Sequence, residues 1–332
     1  MKLRWPGTVL REHGILSMNR RNGDVILPRN PRKLYPLVDD KFKTKKLAQA
    51  AGIAVPELYG AIETEHDIQN LDQILGEHKS FVIKPAEGSG GKGILVIRNR
   101  RREGYVKANG ELIRAGDVGH HISNILSGMF SLGGLPDRAL IEYCVEFDPV
   151  FEHVAYQGVP DIRTIVFRGM PVAAMIRLPT RASDGKANLH QGAVGAGIDL
   201  LSGKTVGGVF QNRKVHQHPD TGAELIGLQI PNWMELLSLS TRCFELAPLG
   251  YLGVDVVLDR HLGPLVLELN ARPGLSIQLA NNKGLRPRLE MVEKLASVPT
   301  NPAERLALAL SLARSVDEGQ AASGPGPAPL SS

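Results

Sequence analysis

An acidic cluster with metal-binding chemistry is encoded in the stretch GVDVVLDRHLGPLVLELNARPG. Side chains alternate along a strand, so Glu268 and Asn270 share one face. If the turn runs from Arg260 to Gly263, Asp255 lies directly opposite Glu268. Like charges facing each other destabilise a sheet, and a bound cation would reverse that effect. Such hard oxygen ligands suit Mg²⁺ or Mn²⁺ shared with phosphates; alternatively, one carboxylate faces solvent or pairs with Arg272.

A glycine-rich turn interrupts the stretch FVIKPAEGSGGKGILVI. A Walker A loop is excluded, because Lys92 is followed by glycine rather than Ser or Thr. A dinucleotide-binding loop is excluded, because ILVI predicts a strand where a helix is needed. A hairpin flap over phosphates remains, with Lys84 as a cation before the turn; the alternative is an ordinary glycine-rich hairpin with solvated lysines. The predicted flap ligands are Gly88, Ser89, Gly90, Gly91, Lys92 and Gly93.

Further polar residues lie in predicted strands. Asp161 and Arg163 share a face of DIRTIVF, and Arg177 ends PVAAMIR. They form either a cross-strand ion pair or a nucleotide site, with Asp161 on ribose and the arginines on phosphate or acyl-phosphate oxygens. Asn188 and His190 alternate onto one face, where His190 either contacts the substrate or is structural, and the glycine stretch after them is expected to be mobile.

The elements that must position these residues are helices mixed with hairpin-linked strands. Residues 1–38 predict an irregular arm with one short strand. DDKFKTKKLAQAAGIAVP predicts a helix that is capped by Asp39 or Asp40 and stopped by Gly52. DIRTIVF and PVAAMIRL predict a hairpin, and so do VDVVLD and PLVLELN. The pattern predicts an α+β fold with antiparallel-rich sheets.

Composition narrows the class of function. The 332-residue chain is 42% hydrophobic and 22% charged, as expected of a globular protein with about two domains. Its +5 net charge favours an anionic ligand, but only 5% of residues are aromatic, so no nucleic-acid partner is expected. Two cysteines form no disulfide framework, which favours the cytoplasm. Neither a signal peptide nor a membrane span is predicted.

These pieces together resemble the ATP-grasp superfamily, and more narrowly its RimK-type α-L-glutamate ligases. The resemblance covers about residues 39 to 282 and rests on motifs in order: DDKFKTKKLAQAAGIAVP, FVIKPAEGSGGKGI, ALIEY, DIRTIVFRGMPVAAMIR, NLHQGA, and GVDVVLD followed by LVLELNARPGL. It implies two α+β subdomains clamping ATP after a truncated N-terminal domain. The implied division is an N-terminal arm (1–38), a small subdomain with the flap (39–140), a large subdomain with the metal site (141–315) and a disordered tail (316–332).

The resemblance also assigns roles to individual positions. Lys41 and Lys84 resemble the lysines on nucleotide phosphates, and Asp161 resembles the ribose-binding carboxylate. The hinge that reads adenine corresponds to Glu142, Tyr143, Cys144 and Val145. The metal ligands of two ions correspond to Asp255, Glu268 and Asn270. Residues near the γ-phosphate and acceptor correspond to Arg177, Asn188, Arg163, His190 and Arg272.

The activity implied is a carboxylate–amine ligase that forms an amide through an acyl phosphate and releases ADP. Only about 40 residues precede Lys41, fewer than ATP-grasp ligases usually have. The acceptor site is therefore expected to be open to a peptide or protein end, or to be completed by another copy or a partner protein. The amine is expected to be glutamate or another amino acid. Alternatives are a sugar-linked or cell-envelope acceptor and a non-catalytic nucleotide-binding module.

Overall fold

Two antiparallel sheets form the framework of the computed structural model, which describes residues 7, 10, 12–88, 90–131 and 133–322. The strands are β1 (Leu58–Ile62), β2 (Phe81–Pro85), β3 (Leu95–Arg101), β4 (Gly104–Lys107), β5 (Leu112–Ile113), β6 (Ala139–Glu142), β7 (Asp161–Phe167), β8 (Met170–Leu178), β9 (Val194–Ile198), β10 (Thr205–Phe210), β11 (Arg213–Val215), β12 (Tyr251–Asp259) and β13 (Gly263–Asn270). The first six form one sheet in the order β1-β6-β2-β3-β4-β5, and the other seven form the second in the order β11-β10-β9-β8-β7-β12-β13. The predicted α+β fold with antiparallel-rich sheets is confirmed.

The six-stranded sheet carries the glycine-rich hairpin. Its strands β2 and β3 pair with Phe81 opposite Ile97, as the two β-branched runs around the glycines predict. The helices Leu71–Leu75 and Ala115–Leu126 pack on this sheet, with Leu75 and Ile122 completely buried against it. A rigid hydrophobic core therefore supports the base of the flap.

The seven-stranded sheet is covered by apolar clusters on both faces, and its central strands are mostly apolar. One cluster packs the helix Trp233–Leu246 against it. A second cluster joins it to the N-terminal segment and to the helices Ser276–Ala280, Arg286–Glu293 and Pro302–Ala322. The glycine stretch expected to be mobile is in fact the fully buried strand β9, so that prediction is wrong. Close packing accounts for glycine at position 197, because a side chain there would overlap the backbone of Ala280.

From Met18 onward the N-terminal arm is helical rather than irregular. Its helical segments are Met18–Arg20, Arg21–Ile26, Leu27–Arg29, Arg32–Leu34 and Pro36–Asp39, and the short strand predicted in 1–38 is wrong for the described residues. The buried Asn30 fastens this arm to the large sheet. Its amide donates to the carbonyls of Tyr251 and Ala271 and accepts from the Tyr251 N–H.

The predicted capped helix is Lys41–Ala50. Asp40 is its N-cap and accepts hydrogen bonds from the N–H groups of Phe42 and Lys43, which satisfies orphan donors of the first turn. Gly52 follows with φ +61°. However, Ala48 and Ile53 lie in the core of the seven-stranded sheet. This helix therefore packs on the seven-stranded sheet, and the start of the small subdomain at residue 39 stays a prediction.

The C-terminal helix is longer than predicted. It runs from Pro302 through Ala322, so the disordered tail expected from residue 316 is wrong over 316–322. The rest of that predicted tail, 323–332, lies outside the described residues. No helix among the described residues is long and apolar enough to cross a membrane.

Candidate active site

The two carboxylates predicted to face each other do so. Asp255 on β12 lies directly opposite Glu268 on β13. Asn270 follows on the same face, and its Nδ2 lies 3.3 Å from both Asp255 Oδ2 and Glu268 Oε1. Asp255 is completely buried, whereas Glu268 is about one-third exposed. Three oxygen-bearing side chains thus converge where the sheet meets solvent.

The register that brings them together differs from the prediction in one detail. The turn is tighter, because Asp259 pairs with Gly263 and not with Pro264. A β-bulge at Leu267 then shifts the ladder by one residue and restores Asp255 to its position opposite Glu268. Bulges re-aim side chains and recur beside active sites, and here the bulge lies next to the acidic pair.

Two arginines on neighbouring strands complete the charged patch. Arg163 on β7 is the other cross-strand neighbour of Asp255. It donates two hydrogen bonds to that carboxylate, from Nε to Oδ1 at 2.6 Å and from Nη2 to Oδ2 at 2.5 Å. Arg177 on β8 likewise donates two hydrogen bonds to the carboxylate of Asp161, and its Nη2 also donates to Asp255 Oδ2 at 2.8 Å. Four adjacent strands therefore present one continuous network of alternating charge.

The network fixes the ionisation of Asp255. Burial alone would raise its pKa, but Arg163 and Arg177 hold the pKa of that carboxyl well below its usual range. For Asp161, burial raises the pKa to about 7 against the opposing attraction of Arg177. Both oxygens of Asp161 are occupied by Arg177, so in this state the carboxylate orients that arginine. The ribose contact of Asp161 stays a prediction.

The chemistry of the donor set fits a hard divalent cation. The amide nitrogen of Asn270 contacts one oxygen of Asp255 and one of Glu268, so the three side chains are adjacent. Carboxylate and amide oxygens are ligands that Mg²⁺ prefers. Among the described residues, no group of three or more His, Cys, Asp or Glu side chains is placed to hold a metal. The assignment of Asp255, Glu268 and Asn270 as metal ligands stays a prediction.

Lys41 connects the helix to the flap. Its Nζ donates to the Gly88 carbonyl at 2.6 Å. Burial lowers the pKa of Lys41, while the negative charge of Glu268 raises it and the positive charge of Lys84 lowers it. Lys41 therefore links the start of the helix Lys41–Ala50 to the flap, and its contact with a nucleotide phosphate stays a prediction.

The flap also reaches the large sheet. Gln191, which precedes β9, donates Nε2–H to the Gly90 carbonyl at 2.8 Å. Lys186, in the same loop as Gln191, lies where a side chain at position 91 would contact it. Gly90, Gly91 and Gly93 all have φ between +65° and +75°, a region that favours glycine. The flap is therefore held over the site from the opposite sheet by Gln191, a contact that the sequence pattern did not reveal.

Lys84 lies in a buried ion triad. Glu142 at the end of β6 receives Lys84 on Oε1 at 2.5 Å and Lys45 on Oε2. The three residues are 2 to 4% exposed. Lys84 and Glu142 were predicted in separate roles, on phosphate and at the hinge, and Lys45 was missed. The sequence signal that could have identified Lys45 is its spacing of four from Lys41, which places both lysines on one face of the helix.

The predicted hinge crosses from one sheet to the other. Tyr143 donates its backbone N–H to Glu57 O at 2.8 Å. Val145 packs with Val257, Leu265 and the partly buried Leu267. Cys144 is buried, and its Sγ lies 3.5 Å from Arg98 Nη1. Backbone groups beside an apolar surface are a fitting environment for a purine, and the adenine contact stays a prediction.

Other predicted residues lie at the edge of this site. Asn188 and His190 do not alternate along a strand, because Leu189–Gln191 is a 3₁₀ turn that Asn188 caps through His190 N–H. His190 and Lys92 are exposed. Arg272 is exposed and stacks over the Tyr35 ring at 5.3 Å. Ser89 lies outside the described residues.

Comparison with known proteins decides the family. A family model described as sugar-transfer associated ATP-grasp matches residues 20–294. The chain belongs to this ATP-grasp family. The resemblance read from the ordered motifs is therefore confirmed, and so is the ATP-grasp fold.

Relatives of this ATP-grasp chain carry ligase names. A probable α-L-glutamate ligase of Aeromonas salmonicida is 23% identical over 89% of this chain and 75% of its own length. One of Maridesulfovibrio salexigens is 24% identical over 71% of this chain. The chain spans only 56% of the latter's length. These names support an ATP-dependent ligase.

Among solved structures, the biotin carboxylase–β,γ-ATP complex from Campylobacter jejuni has a TM-score of 0.51 at 15% identity. The match covers 80% of this chain and 48% of that chain. At this identity the likeness shows the ATP-grasp fold alone.

Proposed function

We propose that the protein is an ATP-dependent carboxylate–amine ligase that makes an amide through an acyl phosphate. An acceptor carboxylate oxygen attacks the γ-phosphorus of ATP, the bond from that phosphorus to the β,γ-bridging oxygen breaks, and ADP leaves. An amine nitrogen then attacks the acyl carbon, the bond to the phosphate oxygen breaks, and phosphate and one proton are released. Phosphorylation is needed because a free carboxylate has no adequate leaving group.

The proposal rests on the placement of Arg163 and Arg177 around Asp255, with Glu268 directly opposite and Lys41 bonded to the flap carbonyl of Gly88. Cations clustered beside a carboxylate–amide set suit a transferring phosphoryl group, whose charge spreads over three oxygens. Positioned donors lower the barrier most where charge develops. In the proposed mechanism the same arginines stabilise the oxyanion during amine attack.

Each element has a distinct task in this mechanism. Lys41 and Lys84 bind phosphate oxygens, and the hinge 142–145 positions the base. The flap, fastened by Gln191, covers the site and excludes water, which would otherwise hydrolyse the acyl phosphate. Asp161 orients Arg177.

Asp255, Glu268 and Asn270 would hold Mg²⁺ or Mn²⁺, as two ions. When bound, the ions supply neutralisation of phosphate charge and alignment of the phosphoryl group.

The acceptor side is bounded by the helical arm. The ring of Tyr35 on that arm lies under the exposed Arg272. Arg272 follows β13, the strand that carries Glu268 and Asn270, and its guanidinium is suited to an acceptor carboxylate. We infer an acceptor site open to a peptide or protein end, with glutamate or another amino acid as the amine, as the names of the relatives suggest. The family description favours a second candidate, a carboxylate acceptor linked to a sugar.

Trapping of the intermediate tests the chemistry without knowledge of the amine. The protein is incubated with ATP, Mg²⁺, hydroxylamine and pools of carboxylates drawn from amino acids, peptides and sugar acids. A hydroxamate accompanied by equal ADP and phosphate supports the proposal, and its mass identifies the acceptor class. AMP and pyrophosphate would contradict it. E268Q is expected to lose the product, whereas E103Q, the same change at an exposed hairpin turn, is expected to retain it.

A further inference from the structure

The buried triad of Lys45, Glu142 and Lys84 presents a physical problem for a nucleotide site. Glu142 is 2% exposed, and each of its oxygens accepts from a different lysine. If Lys84 turns to a phosphate, it must withdraw from Glu142. A buried carboxylate that loses its partner is strongly destabilising. With only one lysine, Glu142 would hold Lys84 away from the nucleotide.

Lys45 solves this problem by its position. It is 3% exposed and donates both to Glu142 Oε2 and to the Pro56 carbonyl, the latter at 2.6 Å. These two acceptors hold its ammonium group in the interior. Its partner oxygen is not the one that Lys84 uses, so Lys84 can leave while Lys45 remains.

We propose that Lys45 is a positioning residue: it stays bound to Glu142 as the permanent counterion and thereby releases Lys84 to bind the nucleotide phosphates. This inference rests on the proposed function, in which Lys84 contacts phosphate. The triad carries two positive charges and one negative charge. It therefore offers one net positive charge to an anionic ligand without leaving the carboxylate unpaired.

The electrostatics of Lys45 agree with this role. Burial lowers the pKa of Lys45 to about 8, and the Glu142 carboxylate is the largest influence that raises it. For Glu142, burial raises the pKa, and the two lysines together bring it below its usual value. Lys45 and Glu142 therefore depend on each other for their charges.

Direct nucleotide binding by calorimetry tests the inference. In K45M, ATP and ADP affinities are expected to fall about tenfold, because Glu142 then retains Lys84. Adenosine, which has no phosphate, is expected to bind as it does to the wild type. K46M is the matched control, since Lys46 is exposed on the same helix, and it is expected to bind all three ligands normally. An equal loss for adenosine and ATP in K45M would show a merely structural role and overturn the inference, as would unchanged ATP binding.

The double variant K45M/E142Q keeps the inference testable even if K45M does not fold. A neutral amide at position 142 no longer holds Lys84, so the double variant is expected to bind ATP within about threefold of E142Q alone. Much weaker binding than E142Q would show that Lys45 acts by another route. These measurements need no turnover. If wild type binds no ATP, the proposed function fails; if wild type binds ATP and K45M matches it, this inference alone fails.

Discussion

Arg163 and Asp255 are direct cross-strand neighbours that share two parallel hydrogen bonds in the interior of the large sheet. Asp255 is completely buried, and Glu268 lies opposite it on the other neighbouring strand. The guanidinium therefore shares with Arg177 the stabilisation of a carboxylate that faces a second carboxylate. The pair supports the sheet and at the same time presents a cation to the site.

Replacement of Arg163 separates these two contributions. R163M leaves Asp255 with only Arg177, so we expect a loss of about 3 kcal/mol in the free energy of unfolding and a fall of about a hundredfold in the rate of hydroxamate formation. R163K keeps a charge but not the bidentate geometry, and it should recover more stability than activity. Urea unfolding and the trapping assay measure the two effects. R213M, at an exposed strand position, serves as the control and should change neither.

Acid titration provides a test of the buried triad. Burial raises the pKa of Glu142, but Lys84 and Lys45 lower it below the usual 4.5. A carboxyl with a depressed folded pKa contributes stability above its unfolded pKa and loses it as pH falls through the folded value. E142Q should therefore be less stable than wild type at pH 7 by about 3 kcal/mol. The gap should narrow below about pH 4.5, as measured by urea unfolding at stepped pH. A gap that stays constant through that range would contradict an ionised Glu142.

Removal of the flap contact should uncouple the reaction. Q191L loses the hydrogen bond from Nε2 to the Gly90 carbonyl, worth about 1 kcal/mol, so the open flap should become about fivefold more populated. Water then reaches the acyl phosphate more often. We expect more ADP per amide formed, while folding stability changes little. Q49L, at an exposed position on the helix Lys41–Ala50, is the control. An unchanged ratio of ADP to amide in Q191L would show that the contact does not govern flap closure.

Local patterns in the sequence were sufficient to predict the hairpins and the facing pair of Asp255 and Glu268. Alternation along a strand places Glu268 and Asn270 on one face whatever the rest of the fold does. The turn between β12 and β13 then brings Asp255 within one residue of the correct partner. The predicted register was wrong at Asp259 and right at Asp255, because the bulge at Leu267 compensates for the tighter turn. A bulge of this kind leaves no clear signal in the residue types.

Features that depend on distant partners could not be predicted. The N-terminal arm contains many turn-forming residues, yet it is helical where Asn30 and the apolar side chains of the arm find partners on the large sheet. Lys45 and Glu142 are 97 positions apart, and no local pattern connects them. Asn188 caps a 3₁₀ turn although its spacing from His190 fits a strand. In each case tertiary contacts outweigh local preference.

Gly93 gives a test of the flap geometry that does not depend on charge. It has φ +75°, and a side chain there would lie 2.6 Å from ring atoms of Phe130. Its carbonyl also accepts from His121 Nε2 at 2.9 Å. G93A therefore combines backbone strain of about 1–2 kcal/mol with a clash against a ring at the base of the flap. We expect a displaced flap and weaker ATP binding.

Gly110 is the matched control for this change. Its φ is +86°, but nothing lies within 4 Å of the position where a side chain would begin. G110A should thus show the backbone strain alone, with normal ATP affinity. The difference between the two variants isolates the contact with Phe130. If G93A and G110A bind ATP equally well, the fixed conformation of the flap at Gly93 is not required for nucleotide binding, and the flap's role in holding phosphate must be reassigned to its lysines.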